Sequence, residues 1–195
     1  MCAHEYSPLA YARIGNFEKA LSEADLLIDM SSKVTNKYVD KSSKAHSYAV
    51  RCEVFSRKGV HDKALMDCET ALKLLPENSS ILASKAAALI RAGRFDEGIS
   101  LFDITAKKEK ISPQYILFIK AEVLDQVGRN KEALLAYKEI LSINERAEQA
   151  QQNEKVARAI TGGVLGYLSA QRKFVLPHSM LDFVQLRITE LDKSN

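Results

Sequence analysis

The chain contains no tryptophan, and only 4 of its 195 residues are proline and 8 glycine. So few breakers indicate no long disordered linker. Cysteine is scarce too. Cys2, Cys52 and Cys68 are an odd number without metal-type spacing. That count argues against a disulfide framework and fits a reducing compartment. No apolar run approaches the ~20 residues needed to span a bilayer. The first residues lack the basic and apolar regions of a signal peptide. The net charge of +3 falls short of the dense basic footprint of a nucleic-acid binder. No phosphate-binding glycine loop, paired-histidine zinc motif or nucleophile elbow occurs. His4, His46, His61 and His178 are scattered, and Cys2 with His4 supplies two ligands where a structural metal site needs four. These absences lead to the expectation of a cytoplasmic or nuclear protein with no catalytic group, no metal and no cofactor.

What is present is a phrase used four times. It reads GNFEKA from Gly15, GVHDKA from Gly59, GRFDEG from Gly93 and GRNKEA from Gly128. The glycines are 44, 34 and 35 residues apart. A period near 34 residues marks stacked helical hairpins. In the second unit Tyr48, Cys52 and Phe55 precede the turn, and Ala64, Leu65, Cys68, Ala71, Leu72 and Leu75 follow it. Their spacings of three and four place them on one face of each of two helices. Gly59 stands where a helix end favours positive φ. Asp62 supports the next helix start, and Pro76 stops the second helix. Ala64, Ala86, Ala121 and Ala133 are small enough to let helices approach closely. Gly98 stands where the other units carry alanine, and its expected role is tighter local packing against the neighbouring hairpin.

Around Gly59, the set Cys52, Phe55, Ala64, Cys68, Ala71 and Pro76 resembles the tetratricopeptide repeat (TPR). The resemblance implies an all-α, right-handed superhelix of helical hairpins. It covers residues 1–146, as repeats over about 1–32, 45–78, 79–112 and 113–146, with capping helices over 147–195. The repeats are degenerate. The family's first-helix tryptophan is missing, and Lys110 and Glu145 replace the closing proline. Ser7-Pro8 predicts a short first helix from Pro8 to Ile14. The long first interval puts about ten extra residues near 31–44, either a loop or an extension of the flanking helices. Lys33, Lys37, Lys41 and Lys44 would share one solvated helical face there. Beyond Ala147 one long helix is expected to Arg172, with Gly162, Gly163 and Gly166 inside it. A last helix after Pro177 would turn Leu181, Val184, Ile188 and Leu191 inward.

In TPR proteins the first helix of each hairpin lines a concave groove that receives a peptide or protein segment. Carried onto this chain, the resemblance makes Arg13, His46, Glu53, Arg57, Ala87, Arg91, Tyr115, Phe118, Glu122 and Gln126 the candidate binding residues. Arg13, Arg57 and Arg91 would form a basic column, and Tyr115 and Phe118 an aromatic end beside Glu122 and Asp125. Arginine and aromatic residues are the types enriched at binding hot spots. The heat-shock carboxylate clamp is absent: its positions hold Glu5, Leu9, Val50, Ser80 and Ser84 in one register and Ala49, Glu53, Ser84, Tyr115 and Ile119 in the next. The resulting expectation is a non-catalytic adaptor for a protein partner. The competing reading is a chaperone or assembly factor, of the type III secretion kind, that dimerises through its C-terminal helices. RNA binding by a helical repeat ranks behind both.

Overall fold

A computed structural model of the protein describes residues 7–33, 37–107, 113–160 and 177–193. The regular elements among them are all α-helices: α1 (Ser7–Arg13), α2 (Phe17–Ser32), α3 (Lys37–Lys58), α4 (His61–Leu74), α5 (Ser79–Arg91), α6 (Phe95–Ala106), α7 (Pro113–Gln126), α8 (Asn130–Ile160) and α9 (His178–Lys193). The chain divides into two compact units, Met1–Ile111 and Ser112–Asn195. The first holds three hairpins, α1–α2, α3–α4 and α5–α6. The second holds the hairpin α7–α8 with α9.

The four repeat glycines build four copies of one turn. Gly15, Gly59, Gly93 and Gly128 have φ of 79°, 83°, 79° and 76°. At Gly59 the glycine amide donates to the Ser56 carbonyl at 3.2 Å, and the next amide, of Val60, donates to Phe55 at 2.9 Å. The same two bonds recur at Gly15, Gly93 and Gly128. This pairing satisfies the last carbonyls of a helix and requires a left-handed residue at its centre, which only glycine occupies without strain. The second helix then starts at once, as the Ala64 amide donates to the Val60 carbonyl at 3.1 Å. The repeating phrase is therefore a hydrogen-bonding instruction for a tight helix–turn–helix.

The small residue five places past each glycine sets how closely the paired helices pack. Ala20, Ala64 and Ala133 are fully buried. Gly98 shows the limit of this approach. A Cβ there would lie 2.6 Å from Ile90 Cγ1 and 2.8 Å from the Ala86 carbonyl oxygen. The close contact of Gly98 is thus with α5, the partner helix of its own hairpin, and not with the neighbouring hairpin as expected.

Two clusters form the interior of the middle of the first unit. Ala45, Ala49, Ala71 and Ile81 pack under Tyr48, Leu72, Leu74 and Leu75. Cys52, Ala64, Cys68 and Ala88 pack under Phe55 and Leu65. Burying one large aliphatic side chain such as Ile81 contributes about 1.5–3 kcal/mol.

Several expectations are corrected here. The first helix runs over Ser7–Arg13, one residue earlier than predicted. Of the two alternatives for the first interval, lengthened helices are found, since α2 continues to Ser32 and α3 begins at Lys37. No separate helix begins at Ala147, because α8 runs from Asn130 to Ile160 without a break. Glu145 stands where proline closes the second repeat, and no proline or glycine falls within that span. The expected continuation to Arg172, with Gly162, Gly163 and Gly166, lies outside the described residues, as do residues 1–6. Cys52 and Cys68 are joined by a disulfide across α3 and α4, with Cα atoms 5.4 Å apart. The repeat pattern brings both to the same level of one hairpin interface, so the cysteine count no longer argues for a reducing compartment.

Candidate protein-binding site

In the first unit α3 lies against α1, α2, α4 and α5. Its candidate residues Glu53 and Arg57 and the α5 residue Arg91 meet in one ionic cluster. Arg57 Nε donates to Glu53 Oε1 at 2.7 Å. Arg91 Nη1 reaches across from α5 to both Glu53 oxygens, at 3.1 and 3.2 Å, and to Ser56 Oγ at 3.3 Å. These side chains are largely shielded, with 15 % exposure for Glu53 and 10 % for Arg91. Burial disfavours the Glu53 carboxylate, but the Arg91 and Arg57 guanidiniums outweigh it and hold the acid below its ordinary range. Arg57 and Arg91, rather than Arg13, act on this group. Arg13 sits exposed at the C-terminal end of α1. Ala87 is 1 % exposed, so it shapes the face by its smallness.

His46 is half-buried on α3. Its Nδ1 lies 2.7 Å from the Ser42 carbonyl oxygen. A carbonyl only accepts, so Nδ1 carries the proton and donates. His46 lines an open cavity of about 850 Å³ whose other walls are the α4–α5 turn and the first residues of α5.

A second ionic staple involves residues that were not on the candidate list. Arg51 donates through Nε and Nη2 to both oxygens of Asp67 on α4, at 2.7 and 2.8 Å, and through Nη1 to Asp25 on α2 at 2.7 Å. Its guanidinium lies 5.6 Å from the Tyr48 ring centre and 5.8 Å from that of Phe55. The Asp67 hydrogen bonds push the Arg51 pKa up against burial, with Asp25 adding to the effect. One side chain thereby ties three helices. The available sequence signal was Asp67 beside Cys68, an acid on the inward face of a helix, which demands a cationic partner.

In the second unit the aromatic candidates part. Tyr115 is 43 % exposed on α7. Phe118 packs against Phe183 of α9, with ring centres 5.8 Å apart and planes tilted by 60°. Phe183 also meets Tyr137 edge-on at 6.4 Å. Glu122 accepts a hydrogen bond from Gln126 at 3.2 Å, one helical turn away. Asp125 is gripped by Arg187 of α9 through two nitrogens, at 2.6 and 2.8 Å. The Asp125 bonds raise the Arg187 pKa. Val184, Ile188 and Leu191 of α9 are buried as expected, and Leu181 is half-buried. Helix α9 thus packs against Phe118, one of the two aromatic residues that the resemblance assigns to the groove.

These features define a TPR-like repeat of helical hairpins. Among the described residues, no helix is long and apolar enough to cross a membrane. No family model matches the chain. It is 27 % identical over 117 residues to the zinc finger CCCH domain-containing protein 7A of Homo sapiens. That stretch is 59 % of this chain and 11 % of the human protein, so the chain spans only a small part of that relative's length. A solved structure, MamA AMB-1 in the P212121 form, is 18 % identical, with a TM-score of 0.47 over 99 % of each chain.

Proposed function

We propose that the protein is a non-catalytic interaction scaffold that binds a peptide or protein segment along the first helices of its hairpins. The observation that carries this reading is the open cavity beside His46 and Ser80, two positions that the repeat register assigns to a binding face. The rigidity of that face supports it. The Glu53–Arg57–Arg91 cluster locks α3 to α5, so a segment would meet a preformed surface and lose less freedom on binding. The arginines serve the surface by fixing it. Contact within the first unit falls to His46 and the small residues that keep the face open.

The test places a photo-crosslinking residue at His46 and, separately, at Met66, which is 67 % exposed on α4. Captured partners should crosslink from position 46 and not from 66. Equal crosslinking from both, or crosslinking from 66 alone, overturns the reading.

One observation favours the assembly-factor alternative. Helix α9 leaves Phe183 and Leu186 exposed by 40 % and 56 %. A dimer through these residues would dissociate in Leu186→Glu, read by light scattering. A monomeric wild type removes that alternative.

A further inference from the structure

The Cys52–Cys68 bond links α3 to α4 inside the second hairpin. Both cysteines are fully buried and pack with Ala64 and with Ala88 of α5, under Phe55 and Leu65. Each is also a sequence neighbour of an ionic anchor. Arg51 and Glu53 flank Cys52, and Asp67 precedes Cys68. Arg51 and Asp67 join α3 to α4, while Glu53 joins α3 to Arg91 of α5. The bond therefore acts on a helix pair that is already tied.

Closure of this hairpin does not depend on the bond. The turn at Gly59 and the Arg51–Asp67 fork hold α3 beside α4 without it. The repeat register shows how the same level is filled where no cysteine stands. Seven residues before the turn glycine and nine after it, α5–α6 carries Ala86 and Phe102, and α7–α8 carries Ala121 and Tyr137. All four are fully buried. Those pairs set a small side chain against a large one, whereas Cys52 and Cys68 are both small. A buried thiol behaves as a small apolar group. Two thiols need no more room than alanine with phenylalanine, so the fold accommodates the pair bonded or reduced.

We propose that Cys52–Cys68 is a redox switch, operated by a dithiol, that sets the stiffness of the α3–α4 hairpin without unfolding it. One thiolate of the reductant attacks a sulfur of the bond, and the other cysteine leaves as a thiolate. The second thiol of the reductant then attacks the mixed disulfide and departs as a cyclic disulfide. Two electrons and two protons pass to the cysteines. A monothiol stalls at the mixed disulfide. The cysteines stand side by side, with Cα atoms 5.4 Å apart, so the freed one expels it and restores the bond. A dithiol competes with that return through its own ring closure. Opening the bond releases α3, which carries part of the proposed binding face. The switch goes beyond the scaffold reading, and none of its readouts needs a partner.

The test incubates the full chain, without denaturant, in buffers of reduced and oxidised dithiothreitol, approached from both ends. Alkylation with mass spectrometry scores the bond, circular dichroism the helices and hydrogen exchange the local stiffness. A reversible transition at unchanged helicity is expected. Reduction should speed amide exchange in α3 and α4 by about tenfold or more, the scale set by a ring of this loop length. Glutathione at equal thiol concentration should leave most of the bond intact. Cys52→Ala combined with Cys68→Ala should match reduced wild type at every buffer ratio, and if that variant fails to fold, reduced wild type carries the comparison alone. A bond that no ratio opens in the folded chain, or that never forms, overturns the proposal. So does loss of helicity on reduction, or identical exchange in the two states. Equal reduction by glutathione overturns the dithiol step.

Discussion

Arg91 on α5 and Glu53 on α3 are 38 residues apart in sequence, yet one guanidinium nitrogen of Arg91 reaches both carboxylate oxygens. With Arg57 bonded to the same carboxylate, Glu53 is the acid on which two hairpins converge. A row of arginines that looks like a ligand-binding column is, at two of its three positions, internal bracing. Replacing those residues tests the fold before it tests binding.

Glu53→Ala strips two shielded guanidiniums of their counter-ion. Removing one partner of a buried ion pair costs about 3–5 kcal/mol, and the partial exposure here sets the expectation near 3. Urea unfolding measures it. A loss under ~0.5 kcal/mol would mean that water already serves the cluster.

The same acid sets a pH dependence. Its folded pKa is depressed below the unfolded reference of 4.5. The unfolded chain therefore binds the proton more readily than the native one. The contribution from Glu53 is complete above that reference and is lost as pH falls through the depressed value. Wild type minus Glu53→Gln should show a stability gap that is constant near neutrality and shrinks in acid. A gap that is independent of pH contradicts the pairing.

Gly98→Ala sets helix propensity against packing. Alanine gains up to ~1 kcal/mol inside a helix. Its Cβ, however, would meet the Ala86 carbonyl at 2.8 Å, and that backbone atom cannot swing aside. Overpacking costs about 1–3 kcal/mol, so the variant should lose stability on balance. A higher melting temperature would show that α5 and α6 separate freely.

Arg51→Lys keeps the charge and loses the fork. Lysine cannot donate in parallel to both Asp67 oxygens and also reach Asp25. A loss of about 1–3 kcal/mol is expected from the charged hydrogen bonds given up. Hydrogen exchange should show weaker protection where α2 and α4 meet α3. Unchanged protection would reduce Arg51 to a surface residue.

Ile188→Ala removes a side chain that is 6 % exposed from the inner face of α9. Large-to-small changes of this kind cost about 2–5 kcal/mol. Protection should fall in α7, α8 and α9 together, since α9 is joined to α7 through Arg187–Asp125 and to α8 through Lys138–Asp192 at 3.0 Å. Loss confined to α9 would mean that it merely rests on the hairpin.

Much of this arrangement was legible in the chain because it is local. A glycine at a fixed place after an apolar stripe is enough to specify a left-handed turn. The four turns share their hydrogen bonds since those bonds lie within six residues. Inward positions such as Ala64, Cys68, Val184 and Ile188 follow from helical spacing alone. The long α8 was less legible, because helix ends depend on stop signals and Glu145 is an ambiguous substitute for proline.

The sequence by itself determined the hairpins, their register and their buried faces, since each follows from contacts between near neighbours. Only the tertiary structure decided what the polar side chains do. Arg91 could face a ligand or Glu53, Phe118 could line a groove or meet Phe183, and Cys52 could be a lone apolar residue or half of a disulfide. Each choice depends on which distant side chain lies within a few ångströms, and charge and hydrogen-bond energies turn on that distance and on burial. Spacing along the chain carries the period of a helix, but not the identity of the neighbour that packing brings to it.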